Sequence, residues 1–147
     1  MISGQHTQTA SGVLNVEVGG TNPLTPDFDQ LVISGSATLD GTLNATFINN
    51  FVADKLDVFR ILSYASRSGD FATKTFPTQN GIDLLFADAQ ATFYDLAGTA
   101  IVVTNTNDSG VRSLRDSITP ANAAADADLI LCNLGGVGVQ TISLLSA

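Results

Sequence analysis

The feature that most constrains this chain is its rhythm: short strand-forming runs broken, again and again, by Gly, Asn and Asp turn signals. The clearest runs are Val13 to Val18, Gln30 to Ser34, Thr42 to Ile48, Asp57 to Leu62, Ile82 to Phe86 and Thr99 to Thr104. Turns are marked by Gly19-Gly20, Asp40-Gly41, Asn49-Asn50, Ser68-Gly69, Asn80-Gly81 and Gly135-Gly136. Several runs alternate. Leu14, Val16 and Val18 share one face, as do Leu43, Ala45 and Phe47, which is the period of a half-buried strand. The expectation is an all-β chain of short strands.

Two architectures suit that rhythm. Asp40-Gly41 and Asn80-Gly81 read locally as hairpin turns of a β-sandwich, and equally as corners between the faces of a β-solenoid. An internal echo bears on the choice. Gly12-Val13-Leu14-Asn15 recurs 29 residues later as Gly41-Thr42-Leu43-Asn44, each copy leading an alternating strand. A repeat of this length suits one solenoid coil.

One short helix is expected, from Leu114 to about Ile118, capped by Ser109 or Ser113, with Leu114 and Ile118 on one face. Pro120 should end it, since proline lacks the N–H and crowds the preceding turn. Asp126 and Asp128 suggest a turn before a strand from Leu129 to Cys132. A boundary falls near Asp95 to Gly98, dividing the chain into 1–98 and 99–147.

Composition excludes several classes. Apolar residues make up 44%, enough for a core, and charged residues only 14%, against about 25% in ordinary soluble domains. Disorder is therefore rejected. Net charge is −8, and Glu17 is the only Glu. Asp favours turns over helix interiors. The cations Lys55, Arg60, Arg67, Lys74, Arg112 and Arg115 form no basic run, so neither nucleic acid nor an anionic membrane is an expected partner. No run of 18 apolar residues occurs and the start is polar, so neither a spanning helix nor a signal peptide is legible. Cys132 is the only cysteine. Its apolar run, Leu129-Ile130-Leu131-Cys132, reads as a buried structural thiol.

The stretch Gly12 to Ala72 resembles a passenger-type module of bacterial autotransporters and related β-helix surface proteins. The resemblance rests on Leu14-Asn15-Val16-Glu17-Val18-Gly19-Gly20, on Phe28-Asp29-Gln30-Leu31-Val32-Ile33-Ser34-Gly35, and on Ala37-Thr38-Leu39-Asp40-Gly41-Thr42-Leu43. It continues through Phe59-Arg60-Ile61-Leu62 and Ser68-Gly69-Asp70-Phe71-Ala72. It implies the C-terminal end of a right-handed parallel β-helix. Val102 to Ile142 resembles the opening of another bacterial β-helix domain. There a strand leads into a turn (Val103 to Gly110), a Ser113-Leu114-Arg115 helix at about 113–119, and an Ala121-Asn122-Ala123 linker. Pro120 departs from that pattern, and the chain stops at Ile142-Ser143-Leu144-Leu145, where the first coils should be starting.

Each pattern with chemical potential has a plainer reading beside it. Asn105-x-Asn107-x-Ser109-Gly110 with Asp116 follows a calcium loop loosely, but its first ligand is uncharged and its last is not Glu. Such residues also bond their own backbone in turns, and the turn is preferred. Asp27 with Asp29, Asp54 with Asp57, and Asp126 with Asp128 read as turn acids. Asp40, Asp57, Asp70 and Asp83 would serve glycoside hydrolysis only if coils brought two together. His6 alone supports no triad or zinc site. Gly135-Gly136-Val137-Gly138 lacks the Lys and hydroxyl of a phosphate loop. Thr38, Thr42, Thr46, Thr73, Thr75 and Thr78 read as strand formers. Phe47, Phe51, Phe59, Phe71, Phe76, Phe86 and Phe93 read as core, able to pile into ladders between coils.

The expectation is thus a non-catalytic, structural or adhesin-type segment of a secreted or cell-surface bacterial β-solenoid, without cofactor, metal or catalytic residues. Its signal and anchor would lie outside this chain. A calcium- or glycan-binding module is the alternative, and a fragment of a polysaccharide-degrading enzyme comes third. The partner expected is a surface glycan or protein, with self-association through open strand edges and no membrane insertion.

Overall fold

The computed structural model describes residues 1–22, 24–25, 27–125 and 128–145. The chain divides into two units, Met1–Gly98 and Thr99–Ala147. The first carries β1 (His6–Thr7), β2 (Val13–Val18), β3 (Leu31–Val32), β4 (Ser36–Leu39), β5 (Thr42–Phe47), β6 (Val58–Ser63) and β7 (Ser66–Gly69). It continues with β8 (Thr73–Thr75), β9 (Thr78–Gln79), β10 (Ile82–Asp83), β11 (Leu85–Ala89) and β12 (Phe93–Gly98).

These strands stack as a β-solenoid. One parallel sheet runs β2-β5-β8 and another β1-β4-β7. On a third face β3 pairs with β6, Leu31 opposite Leu62, and Ile2 bridges Ile33. Equivalent positions recur about 30 residues apart. The sequence echo is one turn of that coil: Val13 lies opposite Thr42, Leu14 opposite Leu43, and Asn15 opposite Asn44.

The alternating pattern fixes which face turns inward. Val16 and Val18 are buried on β2, Ala37 and Leu39 on β4, and Leu43 and Ala45 on β5. Parallel neighbours lie about 4.8 Å apart, so like residues pack directly above one another. The two turns that the sequence leaves open resolve differently. Asp40-Gly41 is a corner joining β4 and β5, which belong to different sheets. The Asp40 carboxylate accepts from the Gly41 N–H at 2.7 Å. Asn80-Gly81 is a true two-residue hairpin between β9 and β10, with φ of 52° and 78°, as a type I′ turn requires.

On the third face the parallel stacking ends at β6. On its far side lies β12, running antiparallel, and β11 pairs antiparallel with β12 in turn, giving the order β11-β12-β6-β3. A hairpin therefore closes this face. The register slips between Tyr94, opposite Leu62, and Asp95, opposite Arg60. The bulge leaves Ile61 unpaired in the register and lets Ile61 and Leu62 both be buried.

The ring contacts are edge-to-face: Phe28 with Phe59 at 5.4 Å, Phe51 with Phe59 at 6.0 Å, and Phe71 with Tyr94 at 5.3 Å. Phe59 and Phe71 are core, but Phe86 is exposed, which corrects the core assignment. Phe86 lies on β11, the edge strand of its sheet, and its neighbour Leu85 takes the inward position.

The second unit holds β13 (Ile101–Val103), α1 (Leu114–Ala123) and β14 (Ile130–Cys132). β13 and β14 pair in parallel, Ile101 opposite Ile130, and α1 packs against both. Ser113 caps the helix by accepting from the Asp116 N–H at 3.2 Å, and Asp116 reaches back to the Arg112 N–H at 2.8 Å, a reciprocal cap. Two expectations fail in this unit. The helix runs through Pro120 to Ala123 instead of stopping before it. Proline's fixed φ suits a helix, and the carbonyl it strands is that of Asp116. Asp116 and Pro120 are both exposed, so the lost bond lies on the hydrated side and costs least. Cys132 is exposed, not buried, because it ends an edge strand of a two-stranded sheet. Of the proposed Asp126-Asp128 turn, Asp126 lies outside the described residues.

Candidate functional site

The chemistry-bearing side chains of the first unit gather where the antiparallel hairpin meets the last corner. Asp70 follows β7 and accepts from its neighbour's backbone, the Phe71 N–H, at 2.8 Å. Lys74 Nζ donates to its other oxygen at 2.9 Å, and the Tyr94 hydroxyl donates to Oδ1 at 2.9 Å. Burial pushes the Asp70 carboxyl up, but the bonds from Lys74, Tyr94 and Phe71 outweigh it and hold it below its ordinary value. Tyr94 is fully buried. Burial, then its bond to ionised Asp70, raises its hydroxyl far above the usual tyrosine range. A phenol held neutral and donating to a carboxylate is a structural pin: it keeps its proton near neutrality.

Two more anchors fix the hairpin. Tyr64 donates its hydroxyl to the Gln90 and Phe93 carbonyls, at 3.1 and 2.7 Å, bridging the turn of the hairpin; its pKa is raised, chiefly by burial. Arg60 and Asp95 form a two-pronged pair across β6 and β12, Nε to Oδ1 at 3.0 Å and Nη2 to Oδ2 at 3.2 Å. The guanidinium lies 3.9 Å above the Phe93 ring. The bond to Asp95 raises the Arg60 pKa.

On the outside, polar side chains link one coil to the next. The Asn44 amide donates to Asn15 at 3.1 Å, and Thr38 and Ser68 share a hydrogen bond at 3.1 Å. At the first coil an open cavity of about 200 Å³ is lined by Leu14, Val16, Leu31 and Ile61, with Asn15, Asp29 and Gln30 completing its walls.

The residues singled out in sequence are found in local roles. Asn105 accepts from the Asn107 N–H and donates to the Val111 carbonyl, while Asp116 serves the helix cap. Asp29 accepts from the Glu17 N–H. Asp57 accepts from the Asp54 N–H, and Asp54 from the Leu56 N–H. Asp40 is a corner residue, and Asp83 is exposed on β10. His6 is half-buried on β1. Thr42 lies opposite Thr73 on the next coil. Among the described residues no three His, Cys, Asp or Glu side chains gather around one point that could hold a metal, and no helix is long and apolar enough to cross a membrane. Sequence reasoning missed the Tyr94–Asp70, Tyr64–Gln90 and Arg60–Asp95 contacts. Their partners lie 24, 26 and 35 residues apart, and only the antiparallel return of β12 joins them.

The chain matches no family model, no curated protein and no solved structure.

Proposed function

We propose that this chain is a non-catalytic structural segment, of the passenger or adhesin type, in a secreted or cell-surface bacterial β-solenoid protein. The observation that carries the reading is the closing hairpin. Parallel coils that repeat every 30 residues or so meet an antiparallel strand pair pinned by Tyr94, Tyr64 and Arg60. All three pins are spent on architecture. In such a segment backbone hydrogen bonds run along the stacking axis, and the outer Asn, Thr and Ser positions form a polar wall that contacts a glycan or another protein. The resemblance of Gly12 to Ala72 to autotransporter passengers supports the surface placement and the bacterial origin.

The test is where the native protein resides. In the producing cell, fractionation with an antibody against this segment should place it in the medium or on the envelope, cleaved by protease added to intact cells. Recovery only from the cytosol would overturn the reading. The purified chain should also release no reducing ends from a panel of polysaccharides; sustained release would make it an enzyme.

A further inference from the structure

We propose that the outward face of the β11-β12-β6 sheet is an interface with a second copy of this chain, packed sheet on sheet about a two-fold axis running along β12. The inference goes beyond the scaffold reading and does not depend on it.

Alternation divides this sheet into two faces. Leu85, Tyr94, Leu96 and Phe59 are buried in the core, so Phe86, Asp88, Asp95, Ala97, Val58 and Arg60 belong to the other face. The register sets those six in two rows. Phe86 lies opposite Ala97, and Ala97 opposite Val58. Asp88 lies opposite Asp95, and Asp95 opposite Arg60. A further coil joins a sheet along its strand edges, in the hydrogen-bonding direction, and so leaves this face open.

The apolar row has a rise at each side and a dip between. Phe86 and Val58 are each more than half exposed, and the small Ala97 sits buried between them. The charged row is incomplete at both ends. Arg60 commits Nε and Nη2 to Asp95, and its Nη1 has no partner among the described residues. Asp88 accepts from the Gln90 amide at 2.5 Å, and among the described residues no cation pairs with it. Within one copy their strands lie two spacings apart, about 10 Å, with Asp95 holding the arginine in between.

One operation completes both rows. Rotation about β12 lays β6 of the second copy over β11. Phe86 then meets Val58 of the second copy, and Asp88 meets the open side of that copy's Arg60. The same two contacts recur on the other side of the axis, as an isologous interface requires. The two Asp95 carboxylates face each other at the axis, each already paired with its own arginine, and Ala97 leaves room there. Aligned sheets pack about 10 Å apart, a gap that Arg60 and Phe86 side chains span. Opposite charges in matching places select this occupant and set its register.

The experiment is sedimentation of the full chain from about 10 µM to about 1 mM, with backbone NMR over the same range. Three short strands make a small interface, so a monomer–dimer equilibrium with a Kd of about 0.1 mM is expected. Concentration-dependent shifts should centre on Val58, Arg60, Phe86, Asp88 and Ala97. Asp88→Lys sets lysine against arginine and should weaken the dimer about tenfold or more, as should Phe86→Ser. Glu17→Lys, on exposed β2, raises the net charge of −8 by the same amount as Asp88→Lys and should not weaken the dimer. Association limited only by general repulsion would instead strengthen in both lysine variants. If Asp88→Lys does not fold, Phe86→Ser and the shift map decide. A chain monomeric to about 1 mM, growth beyond the dimer, shifts mapping to another face, or a dimer that Asp88→Lys leaves as tight would each overturn the proposal.

Discussion

Asn44 donates its side-chain amide to Asn15 across 3.1 Å, and the two lie directly opposite each other on successive coils. The bond is exposed, so each amide loses water to make it, and its net worth should be near the low end for a hydrogen bond, about 0.5 kcal/mol. A double-mutant cycle with Asn15→Ala and Asn44→Ala, read by urea denaturation, should return a coupling of that size. A coupling of zero would mean that coil register owes nothing to this pair.

Gly41 and Gly81 both have positive φ, but they differ in surroundings. A Cβ on Gly41 would sit 2.4 Å from the Gly12 carbonyl oxygen and 2.6 Å from that of Thr9; one on Gly81 meets nothing within 4 Å. Gly81→Ala should cost about 1 kcal/mol, for the left-handed conformation alone. Gly41→Ala adds a clash with backbone of the preceding coil and should cost about 3 kcal/mol or more. Denaturation midpoints of the two variants measure the difference.

The Tyr94–Asp70 pin makes stability depend on pH at both extremes. Asp70 has a lowered folded-state pKa, so its contribution is complete above the unfolded carboxyl value, about 4, and is lost as pH falls through the folded value. Tyr94 has a raised one. Its contribution is complete below the unfolded value, about 10, and fades as pH rises beyond it. Tyr94→Phe should cost about 1 to 2 kcal/mol at neutral pH and flatten the loss above pH 10. Thermal melts from pH 2 to pH 11 report both limbs.

Arg60 is half-exposed and Asp95 is buried, so removing one partner is not equivalent to removing the other. Arg60→Ala strands a buried carboxylate and should cost about 2 kcal/mol, less than a fully buried pair would because the arginine side is solvated. Arg60→Lys keeps the charge but loses the second prong and the planar contact with Phe93, so it should recover less than half of that. Chemical denaturation of the two variants gives both numbers.

Much of the coil was legible in sequence. Val13 to Val18 and Thr42 to Phe47 alternate cleanly because each has one wet face and one buried face. The echo at Gly12 and Gly41 marks their stacking. The closing hairpin was not legible. Phe93–Gly98 is buried along nearly its whole length, so it shows no alternation and reads as a boundary. The strands Ser36–Leu39 and Ser66–Gly69 are short and rich in small residues, and their pairing comes from the neighbouring coil. Cys132 misled because an apolar run signals burial only where both sides of a strand are covered. Of the anchoring contacts, sequence named the residues Asp70 and Phe71 but not the partners that a long-range antiparallel return brings to them.

The stacked-coil arrangement itself is tested most directly by residue-resolved amide hydrogen exchange on the full chain. Strands β5 and β6, each flanked on both sides, should exchange slowest. On β2 the Leu14 and Val16 amides, bonded to β5, should be protected, and those of Val13 and Asn15 should exchange fast. Amides of β5, or those of Leu14 and Val16 on β2, exchanging as fast as the loops would contradict the solenoid.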